Sequence, residues 1–468
     1  MAFGHTSATY TNLQESHTVS YEEIPYRDPL DYFNNLLDQC QNLYLLESVE
    51  GPRKLAEFSF IGFNPIKLIT VKNGVAEVQS EEGRITEKSD DPLKLIKNLM
   101  GECKIYGGPR LIGGAVGYVS YDSIRYWEDL PEKSLDDLKF PDIEIGVYDE
   151  GFIFNHHRGE AYYYHQGRSR LSEVEKHLLK PLSEVENGLT FTEPKLNVTQ
   201  ERFEENVEKA KHHIFSGDIF QVVLSKRYGF KLQGDLTGFY RQLRRINPSP
   251  YMYFIKHGAR RVIGSSPEML VRVENGVVET YPIAGTRPRV GDPYLDQVLA
   301  EELLTDEKER AEHIMLVDLA RNDLGKVCEY GSIQVPEFMV VHQYSHVQHI
   351  VSRVTGQLFP QRDGLDAFKA VFPAGTVSGA PKVRAMQIIE DLEPTRRGPY
   401  AGAVGYFSYN GSADFAITIR TLVADGEKAY IQVGAGILAD SNPTREWVET
   451  ERKAMALMKA LKVAEETK

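Results

Sequence analysis

Four glutamates stand in two pairs of equal spacing. Glu309 and Glu312 lie in "DEKERAEHIM", Glu446 and Glu449 in "SNPTREWVETERK". Residues three apart on a helix share a face, and Asn442-Pro443 gives the second pair a clean helix start. Paired carboxylates on two helices suit a hard divalent cation such as Mg²⁺, which takes a few carboxylates and keeps waters for a substrate oxygen. Two solvated helix faces would show the same spacing. Arg420 sits in the apolar run "FAITIRTLV", where its charge is costly unless paired and its planar fork matches a carboxylate. A structural ion pair is the competing reading. "TYPIAGTRPR" (Thr280 to Arg289) sets two arginines beside a Gly-Thr step, a place for an anion, yet its centre, Ile283-Ala284-Gly285, is small and apolar.

Three further stretches carry weaker signals. Gly434, Ala435 and Gly436, in "IQVGAGILADSNP", follow a strand and imitate a dinucleotide fingerprint, but the helix signal at Pro443 comes too late for one. What survives is a glycine turn whose backbone N–H groups can cradle a carboxylate. In "FPAGTVSGAPKVRAMQII", Gly375-Thr376 through Pro381 lead into a helix whose N-terminus favours an anion. An ordinary helix start explains that stretch equally well. In "VHQYSHVQHI", His342, His346 and His349 would line one helical face and hold zinc; the β-branched flanks favour a strand, which turns His349 away from the other two. There is no HExxH, phosphate-binding GxxxxGK[ST] or nucleophile elbow.

The elements that would position these residues fall in two parts. Up to about residue 185, short alternating strands such as "IKLITVKNGVAEVQS" dominate. "DPLDYFNNLLDQC" and "DDPLKLIKNLMGEC" are helices, each capped by Asp and started by Pro. "SRLSEVEKHLLKPLSEVE" reads as a charged helix, and the polar "NGLTFTEPKLNVTQ" sets the boundary, giving a mainly β N-terminal part over 1–190 and a second over 195–468. The second part opens on a helix with a capping box at Thr199-Gln-Glu-Arg and an end at Gly217. "GGAVGYVSY" (Gly113 to Tyr121) is echoed by "AGAVGYFSY" (Ala401 to Tyr409). The echo points either to two similar glycine-rich hairpins or to an internal duplication with two related sheets facing each other.

At 468 residues the chain exceeds one ordinary core. Its 41% hydrophobic and 26% charged residues are a soluble globular balance. A net charge of -13 argues against nucleic acid or an anionic membrane as partner. No signal peptide pattern, no run near the ~20 apolar residues of a membrane helix, and three scattered cysteines, Cys40, Cys103 and Cys328, give the expectation of a cytoplasmic protein with core thiols.

Taken together, "GDIFQVVLSKR", "NPSPYMYFI", "GSSPEMLVRV", "YPIAGTRPR", "KERAEHIMLVDLARNDLGKVC", "FPAGTVSGAPKVRAMQIIEDLEP", "RGPYAGAVGYFSYNG" and "VGAGILADSNP" occur in the order seen in the chorismate-utilising enzymes. They resemble above all the large subunits of anthranilate synthases. The resemblance implies an α+β fold with large antiparallel sheets packed face to face and helices outside. It implies Mg²⁺ held by Glu312 and Glu449, with Glu309 and Glu446 acting through water. Arg420, Tyr400 and the amides of Gly434 to Gly436 would hold the enolpyruvyl carboxylate of chorismate. Gly285, Thr286, Thr376 and Lys453 would complete the pocket, and His349 would transfer a proton as pyruvate is eliminated.

Two positions bear on the nucleophile. Many aminodeoxychorismate synthases carry lysine where this chain has Ala284, and isochorismate and salicylate synthases carry a water-activating lysine where it has Gln221. Glutamine cannot be that base. The resemblance therefore implies ammonia as nucleophile, supplied by a separate glutamine amidotransferase subunit in a hetero-oligomer. Aminodeoxychorismate synthase is the alternative reading. "YLLES" and "NPSPYM" resemble the family's tryptophan-inhibitor pocket and imply Glu47, Ser48, Asn247, Pro248 and Met252 around it.

Overall fold

The computed structural model describes residues 19–49, 57–101, 107–178, 188–344 and 347–466; Cys103 and His346 lie outside them. The first run of elements is β1 (Val19–Ile24), α1 (Pro29–Leu37), β2 (Asn42–Glu47), β3 (Phe58–Phe63), β4 (Lys67–Lys72), β5 (Val75–Ser80) and β6 (Gly83–Lys88). It continues through α2 (Pro92–Met100), β7 (Gly114–Val119), β8 (Ile143–Tyr148), β9 (Glu150–Asn155), β10 (Glu160–Gln166) and α3 (Leu171–Leu178). Short strands β11 (Thr190–Phe191) and β12 (Lys195–Leu196) and helix α4 (Gln200–Phe215) lead to the second run.

That run has β13 (Gln221–Gln233), α5 (Thr237–Ile246), β14 (Tyr251–His257), β15 (Arg260–Ser266), β16 (Met269–Glu274) and β17 (Val277–Thr280). Next come β18 (Ile283–Pro288), α6 (Pro293–Thr305), α7 (Glu307–Gly325), β19 (Gln334–Gln343), β20 (Val347–Gln357) and α8 (Gly364–Val371). The chain then passes α9 (Gly375–Ser378), β21 (Gly379–Ala380), α10 (Lys382–Leu392), β22 (Ala403–Ser408) and β23 (Ala413–Ile417). It finishes with β24 (Thr421–Asp425), β25 (Lys428–Ile437) and α11 (Pro443–Glu466).

The strands form two large antiparallel sheets. One runs β1-β10-β9-β3-β2-β14-β15-β24-β25-β13-β11, and the other β18-β20-β17-β16-β23-β22-β7-β8-β4-β5-β6. Both orders are palindromic in origin: β1 to β10 match, in chain order, β13, β14, β15, β16, β17, β20, β22, β23, β24 and β25. Helices α1, α2 and α3 follow the same strands as α5, α8 and α11. The echoed motifs are β7 and β22, which pair with Gly117 opposite Gly405. The duplication is therefore real at the level of topology. Its copies do not make one sheet each, as expected, because each copy supplies half of both sheets.

Alternation along the strands builds three layers. On β14, Tyr253 and Ile255 join the apolar cluster between the sheets with Tyr118, Tyr148, Val404 and Tyr406. Met252 and Phe254 point the other way, onto the helical layer with Phe33, Phe239 and Leu457. The outer face of the second sheet is covered around Phe368, Phe372 and Phe407. Strands buried on both faces lose the clean in-and-out pattern, which is why they read as near-continuous apolar runs.

The expected caps are largely present. Asp28 and Asp91 cap α1 and α2 with Pro at the first turn, and α4 ends at Ser216 before Gly217, whose φ is +79°. Thr199 caps α4 by accepting from the Arg202 amide. Arginine at that third helical position cannot reciprocate, so the capping box is reduced to a single cap. The second copy also holds what the first lacks: β18, α6, α7 and β19 inserted before β20, and α9 and α10 before β22.

Candidate active site

The inserted elements and the ends of β13, β24 and β25 converge on one region. Gln221 opens β13 and donates from Nε2 to Glu312 Oε1 on α7 at 3.3 Å. Its own Oε1 is buried without a partner. Gly436 faces this amide so closely that a Cβ there would stand 2.6 Å from Gln221 Nε2. Glu309, one turn earlier on α7, is held by Arg287 Nη1 at 3.3 Å. Glu449 pairs with Lys453 at 2.8 Å, and Lys453 also donates to Gly434 O at 2.9 Å.

Two clamps fix these elements. The Lys226 ammonium, fully buried, lies 3.0 Å from the Trp447 ring centre and pairs with Glu451, which also accepts from Tyr228 at 2.6 Å. This grip on Trp447 and Glu451 seats α11, and with it Glu446, Glu449 and Lys453. Arg397, also buried, donates to Val377 O of α9 and to Val223 O of β13 at 2.7 Å each, pairs with Glu393 at 2.6 Å, and stacks under Tyr121 and Tyr400. Tyr121 belongs to the first copy, so both copies support the site.

The anion-binding candidates need correction in detail. Gly434 to Gly436 do not form a turn; they continue β25, opposite Ser225, Leu224 and Val223 of β13. The ladder on the other side, with β24, stops at Ile431. Among the described residues no strand pairs with β25 beyond Ile431 on its β24 side. Arg420 is not within a strand but in the break between β23 and β24, with φ +51°. Left-handed backbone costs a non-glycine residue about 1 kcal/mol or more, and such strain gathers at ligand clamps. No carboxylate among the described residues pairs with its guanidinium, and burial lowers its pKa while Tyr400 opposes that shift. An arginine held largely out of water with no carboxylate beside it is a ready carboxylate site. The Tyr400 hydroxyl lies where a Cβ on Gly434 would come within 2.6 Å, so only glycine admits it.

The "TRPR" arginines are not free for a substrate. Arg287 pairs with Glu302, Asp306 and Glu309, and Arg289 with Asp296. Gly285, with φ +65°, presents its carbonyl to His349 Nδ1 at 2.8 Å, and Thr286 Oγ1 is 3.1 Å from the same nitrogen. If Nδ1 carries the proton, as a carbonyl partner requires, Nε2 is left as a base. Burial lowers the His349 pKa, the Gly285 carbonyl opposes this, and Arg420 adds to it, so the ring is neutral at pH 7. His342 lies directly across from His349 in the β19–β20 hairpin.

Thr376 sits on the four-residue helix α9, too short for a helix-terminal anion site, and its hydroxyl donates instead to Glu268 Oε1 at 2.7 Å. Glu268 is the residue that motif reading missed. Burial pushes its carboxyl up to about 7, against the Thr376 hydrogen bond and the charge of Lys453. It therefore carries a proton near neutrality and can act as an acid. A lone Glu after Pro267 in "GSSPEML" looks like a strand-end residue; only tertiary burial marks it.

All-carboxylate oxygen donors suit Mg²⁺ chemically. Burial and then Glu309 raise the Glu312 pKa, with Glu449 adding a smaller like-charge push. Burial and Glu449 do the same to Glu446, against Ser441 and Lys453. The cluster is short of positive charge, which a divalent cation would relieve. Among the described residues no three acidic, His or Cys side chains are gathered into a ready ligand set; Arg287 pairs with Glu309 and Lys453 with Glu449. The donor set fits Mg²⁺ in its chemistry, four carboxylates on two helices that sense one another's charge.

The candidate inhibitor residues divide. Glu47 and Met252 face each other across β2 and β14, and Ser48 donates to Pro250 O at 2.7 Å. All three line a cavity of about 50 Å³ between the two copies, with Arg110, Arg272 and Asp414. Asn247 and Pro248 do not line it; Asn247 is tied to Ser265 at 2.9 Å. Burial raises the Glu47 carboxyl, opposed by Arg244 and Tyr240.

Comparison with known proteins gives the family and the fold. The family model described as chorismate binding enzyme matches residues 40–459. Anthranilate synthase component 1 from Methanothermobacter thermautotrophicus is 47% identical over 95% of this chain and 94% of its own length. Aminodeoxychorismate synthase component 1 from Bacillus subtilis is 42% identical over 95% of this chain and 97% of its own. The crystal structure of anthranilate synthase component I from Streptococcus pneumoniae superposes with a TM-score of 0.79 at 39% identity, covering 87% of this chain and 93% of that one. By sequence match and sheet architecture, this chain belongs to the chorismate-binding enzymes.

Proposed function

We propose that the chain is the large subunit of an Mg²⁺-dependent anthranilate synthase, converting chorismate and ammonia to anthranilate and pyruvate. The observation that carries this reading is Arg420, a half-buried guanidinium with no carboxylate partner among the described residues, beside Tyr400 and the open edge of β25. It matches the enolpyruvyl carboxylate of chorismate. The relatives named anthranilate synthase component 1 support the choice of reaction.

Glu312 and Glu449 would hold Mg²⁺, with Glu309 and Glu446 behind them, and the cation supplies Lewis-acid neutralisation of the ring carboxylate. Protonated Glu268, fixed by Thr376, gives its proton to the C4 oxygen as the C4–O bond breaks. Ammonia bonds to C2 while each ring double bond moves one position toward C4. The apolar wall at buried Ala284 offers no competing nucleophile. His349, neutral and free at Nε2, then takes the C2 proton as the C3–O bond breaks, releasing pyruvate and an aromatic ring. His349→Ala should lower anthranilate formation by about 10²-fold or more, the low end of general-base effects. Chromatography should show an aminated intermediate that still carries its enolpyruvyl group; undiminished anthranilate would reassign the base.

The ammonia would come from a separate glutamine amidotransferase subunit in a hetero-oligomer. The purified chain should accordingly consume chorismate with an ammonium salt and fail to do so with glutamine alone. Tryptophan would bind the cavity at Glu47, Ser48 and Met252 and weaken chorismate binding. Saturating tryptophan should raise the KM for chorismate, and by linkage chorismate should weaken tryptophan binding by the same factor. Calorimetry on the isolated chain measures both; unequal factors or no inhibition would remove the feedback role. Among the described residues no helix is long and apolar enough to cross a membrane.

A further inference from the structure

A second cavity, of about 50 Å³, opens behind Thr376 and is lined by Glu268, Thr280, Tyr281, Ala320, Asp323 and Thr376 among others. None of the four glutamates on α7 and α11 lines it, and neither do Arg420, Tyr400 or His349. It thus shares only Glu268 and Thr376 with the candidate substrate site. A water needs about 10–15 Å³ of such space and two to four polar partners, so a few waters fit.

The walls offer those partners selectively. Thr376 binds one carboxylate oxygen of Glu268, Oε1; no described residue donates to Oε2. Thr280 and Tyr281 bring hydroxyls, Thr280 spending its proton on Leu270 O at 3.0 Å and keeping its lone pairs. Asp323 is already neutralised by Lys382 at 2.6 Å and Lys326 at 2.9 Å. Tyr281 and Ala320 of the lining are partly exposed to solvent, as are Glu268, Thr280 and Thr376.

We propose that this cavity is the water and proton channel of the C4 departure: it takes up the water expelled from C4 and returns a proton to Glu268. The inference rests on the reading above. In the balanced step, the Glu268 O–H bond breaks, its proton joins the C4 oxygen, and the C4–O bond breaks with its electron pair leaving as water. Ammonia supplies the new bond at C2, and the C2 ammonium then loses one proton to solvent. Glu268, left as carboxylate, regains one proton through the waters against Oε2. Net consumption of protons is zero. A closed site would have to reopen on the substrate side for this exchange; the cavity lets it proceed with the organic intermediate still bound.

The test is a reversible plug. Ala320→Cys places a thiol on the cavity wall, and methyl methanethiosulfonate adds a small disulfide cap that a thiol reductant removes. Wild-type protein treated identically is the control for all three native thiols, of which Cys40 and Cys328 are buried. Ala320→Met, a permanent plug, serves if the cysteine variant does not fold. With chorismate and ammonium, capping should lower kcat about tenfold, leave the KM for chorismate within about twofold, and enlarge the solvent deuterium effect on kcat. Reduction should restore all three values. Unchanged kcat at full capping would overturn the channel, and so would a raised KM, which would make the cavity part of the substrate pocket. Absence of chorismate turnover in the wild-type chain would instead remove the underlying reaction.

Discussion

Replacing Glu268 by glutamine lowers kcat with chorismate and ammonia by about 10²–10⁴-fold, the span of a general acid's contribution. The amide keeps the shape and can still accept from Thr376, but has no proton to give the C4 oxygen. The KM for chorismate should change little, because Arg420 and Tyr400 carry the binding. The pH profile separates this role from a structural one. Burial raises the Glu268 carboxyl to about 7, and the protonated form is the competent one. At fixed free ammonia, kcat/KM should hold below pH 7 and fall about tenfold per unit above it. The glutamine variant should lack that limb. For stability the sign is the same: a raised carboxyl pKa favours the fold at low pH, and that contribution is lost as pH rises through about 7. A glutamine variant with full activity would take the acid role from Glu268.

The second large effect concerns the metal. Glu449→Gln should weaken Mg²⁺ binding by more than about 10–100-fold, the loss associated with removing even an outer partner of a metal ligand. Activity at ordinary Mg²⁺ should fall with it. The direct readout is calorimetric titration of Mg²⁺ into the chain without chorismate, which does not depend on turnover. The fold should persist, because Lys226, Trp447 and Glu451 seat α11 independently of Glu449. Wild-type affinity in the variant would show that Glu449 serves only its ion pair with Lys453.

Much of the architecture was legible where the local code is strong. Asp-Pro starts placed α1 and α2, Pro443 placed α11, and the paired "GAVGY" motifs left similar hairpins or a duplication open, which the ten matched strands of the topology decide for duplication. The order of motifs gave the family because many blocks had to agree at once. What failed was conformation that tertiary context decides. Gly434 to Gly436 look like a turn in isolation, yet pairing with β13 keeps them extended. Arg420 looks like a mid-strand residue, but the chain breaks there to aim a charge. Arg287 and Arg289 suggested an anion; four nearby carboxylates had already claimed them. Glu268 carried no spacing signal at all. Its chemistry comes from burial, which no single stretch of sequence encodes.

The most direct measurement is to incubate the purified chain with chorismate, Mg²⁺ and an ammonium salt near pH 7.5, and to identify the products by chromatography, fluorescence and a pyruvate assay. Anthranilate and pyruvate in equal amounts are the expected result. Aminodeoxychorismate without pyruvate, the chemistry implied by the name of the Bacillus subtilis relative, would contradict it, and Ala284 and Gln221 would then admit ammonia to a different end.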